Sequence, residues 1–192
     1  PPSTRCSSGS ARSSAGCMAR RSTGRRCSGS SWPWAACGGA CAASRWAVVT
    51  TCLVIGRGYN YTTAYEIALK FKELAYITAE PFSSADFMHG PIAVVQGGYP
   101  VVFLAPRGRV FDDLMDVARQ LKNRGADLVM ISDKANALAL SRAPLALPVS
   151  LPEWLSPLVT VIPGQLLAYH LTSAKGYDPD HPRGLTKVTK TL

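Results

Sequence analysis

From residue 47 to residue 175, short apolar β-branched runs alternate with amphipathic helical patterns, and few architectures satisfy that alternation. Residues 47–55 read as a buried strand, and Gly56-Arg57-Gly58 then turns the chain. Thr62 or Thr63 can cap a helix running to about residue 78. On that helix Ala64, Ile67, Ala68, Phe71, Leu74 and Ala75 recur at i, i+3, i+4 spacing, as one core-facing stripe. Residues 81–84 break the pattern, and a second helical stretch from Ser84 is interrupted at Gly90-Pro91. A strand is then expected at 100–105, a helix at 110–124, strands at 126–132 and 145–149, and a long helix at 157–175. Such a series predicts an α/β fold: a parallel sheet flanked by helices on both faces. Residues 176–192 hold Pro179 and Pro182 without periodicity and read as an irregular tail.

The composition sharpens this division. The 192 residues amount to about one domain, and 47% apolar with 17% charged content excludes a wholly disordered or collagen-like chain. No run approaches the ~18 uninterrupted apolar residues of a membrane-spanning helix. The formal charge of +9 is uneven. The first 50 residues hold seven Arg, no acid, and five of the six Cys, while the rest is nearly balanced. A nucleic-acid reading therefore rests on that first segment alone.

Residues 1–46 form a low-complexity Arg/Ser/Cys-rich segment with almost no Leu, Ile or Val. Several readings compete. One is a basic arm for nucleic acid, and another an organellar transit peptide. A third is a disordered segment, or a GC-rich coding strand read out of frame; this composition favours the out-of-frame reading. A zinc site on Cys37 and Cys41 lacks a second ligand pair, and a secretory signal lacks its apolar run.

Three groups of residues could carry chemistry. Glu66, Lys70 and Glu73 share one helix face at i, i+4, i+7. A carboxylate beside a cation suits proton transfer, although a solvated helix face has the same pattern. His89 stands before Gly90-Pro91 at a helix break, where a side chain reaches solvent or ligand, whereas His170 reads as a packed helix residue. In the tail, a Lys drawn into a pocket could attack a carbonyl and form a Schiff base. Gly56-Arg57-Gly58 lacks the third glycine of a dinucleotide fingerprint.

The runs Ile55-Gly56-Arg57-Gly58, Glu66-Ile67-Ala68-Leu69-Lys70-Phe71-Lys72-Glu73, Met88-His89-Gly90-Pro91, Gln165-Leu166-Leu167-Ala168-Tyr169-His170 and Asp180-His181-Pro182-Arg183-Gly184-Leu185-Thr186-Lys187 stand in order along the chain. Together they resemble the second sugar-isomerase (SIS) half of glucosamine-6-phosphate synthases and their relatives. The resemblance covers residues 47–192. It implies a flavodoxin-like three-layer sandwich, with a second SIS domain at 47–175 and a catalytic tail at 176–192. It also implies roles. Glu73 is the base that moves a proton between C1 and C2 of an open-chain sugar, and Lys70 is the cation beside it. His89 is the ring-opening histidine, reaching a neighbouring subunit's site. Lys187 is the amine that forms an imine with a ketose phosphate, and Glu66 and Arg183 bind substrate.

The ending Lys187-Val188-Thr189-Lys190-Thr191-Leu192 looks more like stand-alone deaminases of the family than like its synthases. The leading expectation is therefore an amino-sugar-phosphate deaminase/isomerase interconverting glucosamine 6-phosphate and fructose 6-phosphate. The alternatives are the isomerase half of a glutamine–fructose-6-phosphate aminotransferase and a non-catalytic sugar-phosphate-binding module. No metal or organic cofactor is implied. The expected partners are a sugar phosphate and a second copy of the chain, with no membrane or nucleic acid, in the cytoplasm. In the family the first half grips the phosphate, so the chain as given is expected to turn over slowly or not at all.

Overall fold

The computed structural model describes residues 33–184. Five strands form one parallel sheet: β1 (Thr51–Gly56), β2 (Thr78–Ser83), β3 (Pro100–Leu104), β4 (Asp127–Ser132) and β5 (Leu145–Ala146). Their order is β2-β1-β3-β4-β5, so the winding reverses between β1 and β3. The helices are α1 (Pro33–Trp46), α2 (Asn60–Leu74), α3 (Ser84–Phe87), α4 (Phe111–Asn123), α5 (Ala135–Leu138) and α6 (Ser156–Ala174). The doubly wound, three-layer α/β architecture expected from the sequence is the one observed.

Strand residues divide their side chains between two cores because successive residues face opposite sides of a sheet. Val54, Val102, Leu104, Val129 and Ile131 pack with α1, α2 and α6 on one face. Leu53, Ile55, Val101, Phe103, Leu128 and Met130 pack with α3, α4 and α5 on the other. With both faces covered, the central strands are buried almost throughout, which is why they read as continuous apolar runs. Within the first core, burial pushes the Cys52 thiol up to about 12 against a weaker pull from Lys72, so Cys52 behaves as a small apolar residue.

Two elements depart from expectation. The reading of residues 1–46 as wholly low-complexity and unstructured is corrected from Pro33 onward, where α1 begins. Gly39, Ala42, Ala43 and Trp46 follow i, i+3, i+4, i+7 spacing, and Ala42, Ala43 and Trp46 are buried. Small residues let the helix lie close to its neighbours: a Cβ on Gly38 would meet the Pro144 carbonyl oxygen at 2.7 Å. The carboxylate of Asp127, at the start of β4, accepts hydrogen bonds from Arg45 Nη2 (2.9 Å), Arg45 Nε (3.1 Å) and Trp46 Nε1 (2.8 Å). Arg45 is thus a structural partner of the sheet. The expectations for residues 1–32 fall outside the described residues.

The second departure is β2, where the sequence suggested a break. It pairs with β1 from Thr51↔Thr78 to Gly56↔Ser83 and lies at the sheet edge. Pro81 removes one donor there, and an edge strand tolerates the loss. Among the described residues, no helix is long and apolar enough to cross a membrane.

Candidate functional site

α2 starts after the carboxyl end of β1 and runs back along the sheet, so its last turn lies where the strands begin. The expected charged trio runs along the second half of α2, from Glu66 at mid-helix to Glu73 in the last turn. Lys70 Nζ donates to Glu73 Oε2 at 2.8 Å and stands 3.8 Å from Glu66 Oε1. Gln165, on α6, donates from Nε2 to Glu66 Oε1 at 3.3 Å. The neighbouring Gly164 lets α6 approach α2 this closely, since a Cβ there would collide with Ile67. All three charged side chains are about one-third exposed. Ion pairs at that exposure contribute about 0–1 kcal/mol, so stability alone does not account for the arrangement. The hydrogen bond to Glu73 and the charges of Glu66 and Glu73 raise the Lys70 pKa against a smaller opposing burial effect. Lys70 is therefore a cation throughout the neutral range. A shallow cleft of about 320 Å³ opens beside Glu66, between Tyr65, Leu69 and Pro81.

The chain leaves α2 through Tyr76, a non-glycine residue held at φ 53° in the left-handed region. Glycine usually takes this place after a helix, and a larger residue here costs roughly 1–3 kcal/mol unless its surroundings hold it. The surroundings are the start of the carboxyl-terminal tail. Tyr177 stacks edge-on against Tyr76 with ring centroids 4.8 Å apart. The Arg183 guanidinium lies 4.7 Å from the Tyr76 centroid and 4.8 Å from that of Tyr177. The Arg183 backbone N–H donates to the Tyr76 hydroxyl at 2.8 Å. Between them, His181 Nδ1 and Asp178 Oδ2 are 2.9 Å apart. The hydrogen bond and charge of Asp178 push the His181 pKa up, and the same pairing pulls Asp178 down.

The structure thus brings Glu73 and Arg183 to the end of the sheet where strands begin, with Lys70 about one turn and Glu66 about two turns further along α2. The Arg183 guanidinium is engaged by two tyrosine rings. Lys187 lies outside the described residues. It is four residues past Arg183, a reach of at most about 14 Å. His89 is placed differently. It is exposed, follows β2 and α3, and sits past the carboxyl ends of the strands. A six-residue strand is about 20 Å long, so Glu73 and His89 of one chain stand at opposite ends of the sheet. His170 is half-buried in α6, with its ring beside Tyr169. The sequence reading missed the pair Tyr76 and Tyr177, which are a hundred residues apart and carry no local motif.

A doubly wound α/β domain with a carboxylate–lysine–carboxylate trio along its second helix is the class that fold and site define. Residues 49–174 match the SIS domain, and the chain belongs to that family. It is 44% identical over 133 residues to the isomerizing glutamine–fructose-6-phosphate aminotransferase of Pyrococcus horikoshii. The match covers 69% of this chain and 22% of that protein. The enzyme of the same name from Thermococcus kodakarensis is 45% identical over 133 residues, with the same coverage. Among solved structures, the C-terminal domain of glucosamine-fructose-6-phosphate aminotransferase from Francisella tularensis is 30% identical with a TM-score of 0.64. That match covers 77% of this chain and 42% of the solved one. The chain therefore spans about a fifth of the length of the curated relatives it matches.

Proposed function

We propose that this chain carries the isomerising chemistry of a glutamine–fructose-6-phosphate aminotransferase: transfer of a proton between C1 and C2 of an opened hexose 6-phosphate. The observation that carries this reading is the Glu73–Lys70 pair at 2.8 Å, at the end of the sheet to which Tyr76 and Arg183 lead the tail. Two relatives at 44% and 45% identity bear the aminotransferase name, which favours this assignment over the deaminase expected first from the tail.

The roles follow from the chemistry. Moving a hydrogen between adjacent carbons beside a carbonyl or imine needs one base that reaches both, and a carboxylate suits it. Glu73 removes the proton from one carbon and returns it to the other. Lys70, held as a cation, donates to the Glu73 carboxylate and fixes its orientation toward the two carbons. Lys187 supplies the amine for an imine with the ketose carbonyl, condensing with loss of water and holding the sugar open; water then adds back to restore the carbonyl and free the lysine, and Glu73 moves the proton beside that carbonyl. Tyr76, Tyr177 and Arg183 position the segment that bears Lys187. His89 cannot reach Glu73 of its own chain, so in this reading it serves the site of a second copy as ring-opening acid and base.

The test is proton exchange. The chain incubated with fructose 6-phosphate in D2O is expected to yield an aldose 6-phosphate deuterated at C2, read by NMR over hours. Ammonia released from glucosamine 6-phosphate, with no such exchange, would favour the deaminase. Neither reaction above background would leave a binding module as the better description.

A further inference from the structure

Doubly wound proteins hold anions in the crevice at the carboxyl ends of the strands where the winding reverses, against backbone amides and helix amino termini. In this chain the crevice lies between β1 and β3. Gly56-Arg57-Gly58, before α2, borders one side, and the loop 105–110, before α4, borders the other. Two carboxylates of the chain itself meet the second loop. The Arg107 backbone N–H donates to Asp133 Oδ1 at 2.7 Å. The Arg109 backbone N–H donates to Glu153 Oε2 at 3.1 Å.

Glu153 enters the crevice over Gly108, where a Cβ would meet its Cδ at 2.6 Å and its Oε1 at 2.7 Å. The same Oε1 comes within 3.9 Å of where a Cβ would stand on Gly58. One carboxylate therefore reaches both loops. α2, which begins two residues after Gly58, has no acidic residue in its own first turn. The Glu153 backbone is also anchored. Ser156 Oγ donates to the Glu153 carbonyl at 2.7 Å, and Asn60 Nδ2, on the first residue of α2, donates to Ser156 Oγ at 2.7 Å. Asp133 is held as firmly, by Ser150 Oγ at 2.6 Å and Arg107 Nε at 3.2 Å.

We propose that Glu153 is a resident anion: its carboxylate occupies an anion cradle at the β1/β3 reversal, which accepts an external phosphate only when Glu153 is displaced. The phosphate of any substrate handled near Glu73 is then gripped outside this crevice. Such a cradle is separate from the isomerase site and is tested without turnover.

The experiment measures the melting temperature of the 192-residue chain in sodium phosphate and in sodium chloride of matched ionic strength. The wild type is expected to melt at the same temperature in both. Glu153→Ala removes the carboxylate, and Gly108→Ala ejects it by collision; each is expected to gain about 3 °C or more at phosphate tenfold above its Kd. Asp112→Asn removes the same charge from the exposed first turn of α4 and is expected to gain nothing. Phosphate stabilisation of the wild type equal to that of the variants would overturn the proposal. So would indifference to phosphate in both Glu153→Ala and Gly108→Ala, or a gain in Asp112→Asn equal to theirs.

Discussion

Glu73→Gln is expected to slow deuterium exchange into the hexose phosphate by roughly 10²–10⁴-fold, the contribution of a positioned general base. The amide has nearly the shape of the carboxylate and still offers an oxygen to Lys70, so the fold should survive. The melting temperature is expected to stay within about 2 °C of wild type, because a pair this exposed contributes little to stability. The loss should fall on kcat with KM nearly unchanged, since the base acts in the transition state and adds little to substrate binding. A Glu73→Gln chain exchanging at the wild-type rate would remove the base from the proposal. A comparable loss of rate with a collapsed melting temperature would recast the trio as a structural feature of α2.

Trp46→Ala is expected to lower unfolding stability by about 3–5 kcal/mol, the usual cost of truncating a large buried aromatic side chain. Trp46 is 1% exposed, packs in the core shared by α1, α2 and α6, and its indole N–H donates to Asp127 at 2.8 Å. The substitution opens a cavity and also leaves part of the Asp127 carboxylate without a donor, which adds to the penalty. The measurement is a urea titration, with a lower midpoint and an unchanged slope. A change below about 1 kcal/mol would mean that α1 does not belong to the core. The composition-based division at residue 47 would then stand.

The fate of α1 shows what kind of information the sequence carries. β1, β3 and β4 were legible because strands buried on both faces carry unbroken runs of Val, Leu, Ile, Met and Phe at their centres. α2, α4 and α6 were legible to within a few residues at each end, since a long apolar stripe at helical spacing fits neither a strand nor a loop. α1 has the same spacing at Gly39, Ala42, Ala43 and Trp46, but three of the four are small. Its stability comes from close approach to β5 and α6, a tertiary fact that propensity does not encode. β2 was hidden by Pro81, which reads as a breaker until the strand is known to lie at the edge.

The candidate site divides in the same way. Glu66, Lys70 and Glu73 were visible because one helix displays them together. The clamp of Tyr76, Tyr177 and Arg183 was not, because it joins the end of α2 to a tail a hundred residues later. Arg183 was read as a substrate ligand, yet the structure gives its guanidinium two aromatic rings. Glu153 was silent in the sequence: it is a single acid before a helix, and its place in the crevice depends on a missing side chain at residue 108.

Reductive trapping tests the shared action of Glu73 and Lys187 most directly. Incubation with fructose 6-phosphate and borohydride, followed by peptide mass spectrometry, is expected to place a reduced hexose-phosphate adduct on Lys187, and Lys187→Ala should abolish it. An adduct confined to other lysines, or none at saturating sugar phosphate, would contradict the account.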